Sequence, residues 1–146
     1  MSDAHAQPEA ESAAPSLPTM SFPTPFEAIG DEAGVRALVD GFYDQMDRNP
    51  AFAALRAIHA EDLGPMREPL TDWLSGWMGG PAVYAQRHPG RPCIMSAHAP
   101  FRFDAALADQ WLACMRLALA EAAMPQDWAG LTDAAFARMC AGLRNV

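Results

Sequence analysis

Residues 35–46 read Val35-Arg36-Ala37-Leu38-Val39-Asp40-Gly41-Phe42-Tyr43-Asp44-Gln45-Met46. Their apolar side chains fall at i, i+3, i+4, i+7, i+8 and i+11, the period of a helix with one buried face and not that of a strand. Asn49-Pro50 ends the run, because the residue before a proline is pushed out of helical backbone. The same period recurs downstream. Met66, Leu70, Trp73, Leu74 and Trp77 share one side of a helix expected over residues 65–78, which Gly79-Gly80-Pro81 stops. Pro69 fits that helix only within its first turn. Asp104 is placed to cap a helix carrying Leu107, Trp111, Cys114, Met115, Ala118 and Leu119. After an expected loop around Pro125 to Gly130, residues 132–143 turn Phe136, Met139, Cys140 and Leu143 inward. Nearer the start, Thr24-Pro25-Phe26-Glu27 offers a cap, a first-position proline and an acidic third residue, closed by a turn at Gly30-Asp31. No segment alternates with period two. The fold class is all-α, with long helices joined by short ones and an irregular stretch over residues 81–103.

The chain has 146 residues, 51% hydrophobic and 19% charged, which suits one packed domain. All ten of its basic residues are arginine. Without lysine there is no phosphate-loop motif, no pyridoxal Schiff base and no catalytic lysine. A net charge of −8 speaks against a partner bound through nucleic-acid phosphates. Cys93, Cys114 and Cys140 are odd in number and lack C-x-x-C spacing, so neither a disulfide framework nor a zinc ribbon is expected. No apolar run approaches the roughly 18 residues of a membrane span. The first 20 residues contain Asp3, Glu9 and Glu11 and no arginine, unlike a targeting peptide. The expectation is a cytoplasmic protein, with a disordered, Ala/Pro-rich acidic arm over residues 1–23 and one domain over 24–146.

Common catalytic signatures (G-x-S-x-G, G-x-G-x-x-G, H-E-x-x-H) are absent from the sequence. Glu61, Asp62, Glu68 and Asp72 read as a solvated face. Of the histidines, His5 lies in the arm, and His59, His88 and His98 are too far apart for a local zinc motif. His98 differs in its surroundings: an apolar turn of Cys93, Ile94 and Met95 before it, and Ala99-Pro100-Phe101-Arg102 after it. One imidazole, an apolar wall and a nearby cation are what a haem site asks for, although a lone histidine is also common on a surface. Tyr43 and Trp111 lie on the apolar stripes of two helices, where each is either packed core or a donor aimed into a shared pocket.

Phe42-Tyr43, Trp77-Met78-Gly79-Gly80-Pro81 with Tyr84 following, His98-Ala99-Pro100-Phe101-Arg102 and Trp111-Leu112-Ala113-Cys114-Met115 occur in that order. In these motifs residues 25–145 resemble the truncated haemoglobins of group II. The resemblance implies a two-over-two helical sandwich around haem b. It implies that His98 is the proximal iron ligand and that Tyr43 and Trp111 are distal hydrogen-bond donors, with His59 a further polar distal residue. Met66 stands at the distal position that holds histidine in many globins. Leu70, Trp73 and Leu74 would line the distal wall, with Phe101 and Tyr84 also at the cofactor. Ala97, Ser96 and Met95 depart from the family, since a basic residue before the proximal histidine often meets a propionate. Anchoring then falls to Arg102, with Arg67, Arg87 and Arg91 as further candidates.

What the resemblance implies is reversible binding of dioxygen, carbon monoxide or nitric oxide at a five-coordinate ferrous haem, with slow oxygen release. Nitric oxide dioxygenation or weak peroxidase turnover at the same site would need an external reductase. A haem-free helical interaction or sensor domain is the reading of a different class.

Overall fold

A computed structural model describes residues 20–92 and 97–146. Its helices are α1 (Pro25–Ile29), α2 (Asp31–Arg48), α3 (Ala53–Ala57), α4 (Gly64–Trp77), α5 (Tyr84–Arg87), α6 (Ala105–Glu121) and α7 (Gln126–Leu143), with a 3₁₀ turn at Pro50–Phe52. No strand occurs among the described residues. Of the expected arm, residues 1–19 lie outside the described residues. Ser21 hydrogen-bonds through N and Oγ to the Asp127 carboxylate, and the Phe22 carbonyl accepts from Trp128 Nε1.

Thr24 and Asp104 cap as the sequence suggests, and Asn49, read there only as a stop, caps the 3₁₀ turn as well. Thr24 Oγ1 accepts from Glu27 N at 3.1 Å, Asn49 Oδ1 from Ala51 N at 3.0 Å, and Asp104 Oδ1 from Leu107 N at 3.0 Å. Each satisfies an N–H that helix geometry leaves unpaired. Two expectations need correction. Pro69 is the sixth residue of α4, beyond its first turn. Only the bond to the Pro65 carbonyl is forfeited there, and α4 stays anchored by buried Leu70 and Leu74. The expected loop over 125–130 is instead the first turn of α7, because the Pro125 carbonyl accepts from Trp128 N and Ala129 N.

The packing makes two helix pairs, α2 on α4 and α6 on α7, laid together through α2 and α6. All six apolar positions of the α2 stripe are buried. Phe42 meets Trp111 of α6 at 5.5 Å between ring centres, and Trp111 meets Phe136 of α7 at 6.0 Å. Cys114 Sγ donates to the Phe42 carbonyl and Cys140 Sγ to the Ala108 carbonyl, so two cysteines join helices as small buried donors. No helix of the described residues is long and apolar enough to cross a membrane.

Candidate functional site

α4 sets one wall of a cavity of about 470 Å³, within the range of about 300–1,000 Å³ usual for small-molecule sites. Met66, Leu70 and Trp73 stand at i, i+4 and i+7, one face of the helix, with Pro69 on the same face. Tyr43 of α2, Ile58 and His59 after α3, Tyr84 of α5, and Ala97, His98 and Phe101 close the rest. Eight residues singled out from the sequence therefore converge here: Tyr43, His59, Met66, Leu70, Trp73, Tyr84, His98 and Phe101.

The polar groups are few and held. Tyr43 is 5% exposed, and burial pushes its phenol well above the usual range despite the opposing charge of Arg67. Arg67 sits over the Tyr43 ring at 5.7 Å and reaches Asp40 and Asp44 of α2 at 2.9 Å each, stapling α4 to α2 beside the cavity. His59 directs Nδ1 to the Leu55 carbonyl at 2.8 Å and lies 6.1 Å from the Tyr43 ring. His98 faces it, 6.3 Å away between ring centres. Behind His98, fully buried Phe103 lies edge-on at 5.4 Å. Asn145 holds this segment from the chain's other end: its Oδ1 accepts from Phe103 N, and its Nδ2 donates to the Phe101 carbonyl. Tyr84 turns its hydroxyl to the Pro92 carbonyl at 2.7 Å.

Three residues singled out from the sequence do not line the cavity. Leu74 is core, Trp111 lies in the layer behind Phe42, and Arg102 is exposed outside it. Of the other arginines, Arg67 and Arg87 are engaged by carboxylates, and Arg91 lines the mouth. The apolar turn over 93–96 lies outside the described residues. Asp72 corrects the reading of a solvated face: it is 2% exposed and receives Arg87 Nη1 at 2.9 Å and His88 Nε2 at 2.7 Å. That buried carboxylate ties α5, and with it Tyr84, to α4. Sequence reasoning also missed Ile58, Ala60, Pro69 and Pro92 in the lining. Pro69 was within reach, since it falls on the i+3 position from Met66.

An apolar slot with an imidazole on its wall and a tyrosine and second histidine near it suits haem. His98 would supply the nitrogen that binds the iron, Met66, Leu70 and Trp73 the cover for a flat macrocycle, and Arg91 a cation at the edge. Two helix pairs laid together, with such a slot beside the α2–α4 pair, are what a two-over-two globin presents. The bacterial-like globin family model matches residues 24–140. A group 2 truncated haemoglobin of Bacillus subtilis, YjbI, is 36% identical over 99 residues, covering 68% of this chain and 71% of that protein. A group II 2-on-2 haemoglobin from Agrobacterium tumefaciens superposes with a TM-score of 0.77 at 35% identity, over 87% of this chain and 98% of that one. A cold-adapted truncated haemoglobin from Pseudoalteromonas haloplanktis does so with 0.78 at 32%, over 84% and 98%. The chain belongs to the bacterial-like globins, as a truncated haemoglobin of group II, a family that binds haem and gases.

Proposed function

We propose that this protein reversibly binds dioxygen, and also carbon monoxide and nitric oxide, at a ferrous haem b held on one side by His98, and that it releases oxygen slowly. Haem b, when bound, supplies the iron at which a diatomic gas is held. His98 would provide the protein nitrogen that holds the iron, with Phe103 against its ring and Asn145 bonded to Phe103. Met66, Leu70 and Trp73 give the cavity an apolar wall, which would keep water from the bound gas. With an apolar side chain at position 66 and Trp111 packed behind Phe42, hydrogen bonding to the gas falls to Tyr43. An O–H or N–H donor in a dry pocket stabilises the negative charge that held dioxygen gathers, by about 1.5–3 kcal/mol for each bond to a charged group. One such bond slows release about tenfold or more. Arg91 at the cavity mouth is the guanidinium best placed to meet a propionate, with Arg102 outside it.

The observation that carries this reading is the convergence of His98, Tyr43 and His59 on one apolar cavity. The test is the absorption spectrum of the purified protein, reduced and then exposed to carbon monoxide, beside that of His98→Ala. A sharp, shifted Soret band at about one haem per chain, lost or altered in the variant, supports it. A colourless protein that takes up no added haemin returns the haem-free helical domain as the reading.

A further inference from the structure

A second cleft, of about 650 Å³, opens between α4 and the exposed flank of α7 and shares Trp73 with the haem cavity. Its walls are unusually aromatic. Trp73 and Trp77 stack at 6.3 Å with only 16° between their planes, and Trp128 faces them from α7. Trp77 and Leu131 remain 36% and 55% exposed, so the described residues leave this apolar surface uncovered. Thr132 lines the cleft, is 3% exposed, and its Oγ1 is the one buried side-chain polar atom without a hydrogen-bond partner among the described residues. A hydroxyl stripped of water and left unpaired is costly unless something else bonds it. Arg138, also in the lining, has no ion pair among the described residues.

Thr132 and Arg138 stand six residues apart on α7, a rise of roughly 9 Å at 1.5 Å per residue. A ligand that meets both is therefore elongated, with one end for each. We propose that the cleft binds a flat aromatic monocarboxylate bearing a polar oxygen at its far end. The rings lie against Trp73, Trp77 and Trp128, the carboxylate meets the Arg138 guanidinium, and the far oxygen bonds Thr132 Oγ1. Flat π-faces favour the tryptophans, and a guanidinium favours a carboxylate over a neutral end.

The probes are 6-hydroxy-2-naphthoate, 2-naphthoate (lacking the hydroxyl) and 2-naphthol (lacking the carboxylate). They are titrated calorimetrically into the haem-loaded carbon-monoxide form, so that the iron is closed to them. The hydroxynaphthoate is expected to bind one to one with an unchanged Soret band. Arg138→Gln should weaken it at least tenfold and leave 2-naphthol unaffected. Thr132→Val should weaken it three- to tenfold and leave 2-naphthoate unaffected. Because Thr132 Oγ1 has no partner to lose, Thr132→Val should also raise the thermal midpoint of the ligand-free protein, which shows that the variant is folded. No binding at millimolar probe, losses that do not follow the matching chemical group, or displacement of carbon monoxide would each overturn the proposal.

Discussion

His59 Nδ1 lies 2.8 Å from the carbonyl oxygen of Leu55, one turn back along the chain. A carbonyl only accepts, so Nδ1 carries the ring proton and Nε2 is left as a lone pair. Burial lowers the imidazole's proton affinity, the Leu55 bond opposes this, and His98 and Arg56 add to the fall, so the ring is neutral at pH 7. His59 therefore gives the cavity an acceptor where Tyr43 gives a donor. Tyr43→Phe should speed oxygen release at least tenfold, by loss of a donor bond of about 1.5–3 kcal/mol. His59→Leu should change it less than about threefold. Stopped-flow displacement of oxygen by carbon monoxide measures both, and an acceleration by His59→Leu equal to that of Tyr43→Phe would refute this assignment of the proton.

Asp72 holds Arg87 and His88 from a fully buried position, joining α5 to α4 beneath Tyr84. Removing a buried carboxylate from two partners leaves both without the acceptor they are folded around, a larger loss than that of a surface pair. Asp72→Ala should lower the unfolding free energy by about 2 kcal/mol, read from the urea midpoint at pH 7. A loss under about 0.5 kcal/mol would mean that α5 is held by apolar contacts alone.

The contrast between Asp72 and the α2 stripe shows what a single sequence discloses. Val35, Leu38, Val39, Phe42, Tyr43 and Met46 were legible because one period accounts for all of them, and all are buried. The α4 wall was legible for the same reason. Asp72 lies on the opposite side of α4 from Leu70, where local pattern reads solvent. It is covered by α5, a four-residue helix from the irregular stretch that no period announces. The start of α7 was obscured by Pro125 and Gly130, both turn signals. Pro125 serves as the cap instead, and Gly130 sits in open space where a glycine costs little beyond its propensity. Trp111 was legible as buried, but its place one layer behind Phe42 depends on how α6 crosses α2, which periodicity does not encode.

Burial alone would raise the Asp40 carboxyl, but Arg67 and Arg36 beside it outweigh that and hold it below its ordinary 3.8. A depressed carboxylate contributes stability that is fully present above its unfolded value and is lost as pH falls through the lower folded one. Asp40 is partly exposed, so the contribution is under about 1 kcal/mol. Denaturation of the wild type and Asp40→Asn across pH 2–7 should give curves separated by that amount above pH 5 and converging below 3.8. A gap that widens toward acid would contradict the sign.

Burial pushes the Cys114 thiol up to about 12 and raises that of Cys140, each already donating to a carbonyl across a helix contact. Thiolate is the reactive form, so neither should titrate or react under native conditions. With iodoacetamide at pH 8, peptide mapping should find both unmodified after an hour and fully modified in 6 M guanidinium. Native labelling of either would show that the α2–α6 or α6–α7 contact opens on that timescale.

Gly79-Gly80 ends α4, and its two glycines are required for different reasons. Gly79 has φ of 94°, a backbone that side chains resist. Gly80 is needed for space: a Cβ there would meet the Phe26 ring at 2.6 Å, while Gly80 N bonds the Ser75 carbonyl and Phe26 N bonds the Met78 carbonyl. The ring is thus locked onto the turn by backbone bonds on both sides and has little room to yield. Gly80→Ala should cost about 1–3 kcal/mol, the usual range for overpacking. If the clash with the ring is the cause, shrinking the ring's own side chain relieves it. In a Phe26→Ala background the same Gly80→Ala change should cost less than about 1 kcal/mol, a non-additivity that a double-mutant cycle on denaturation midpoints resolves. Additive losses would place the cost in the backbone of the turn, as at Gly79.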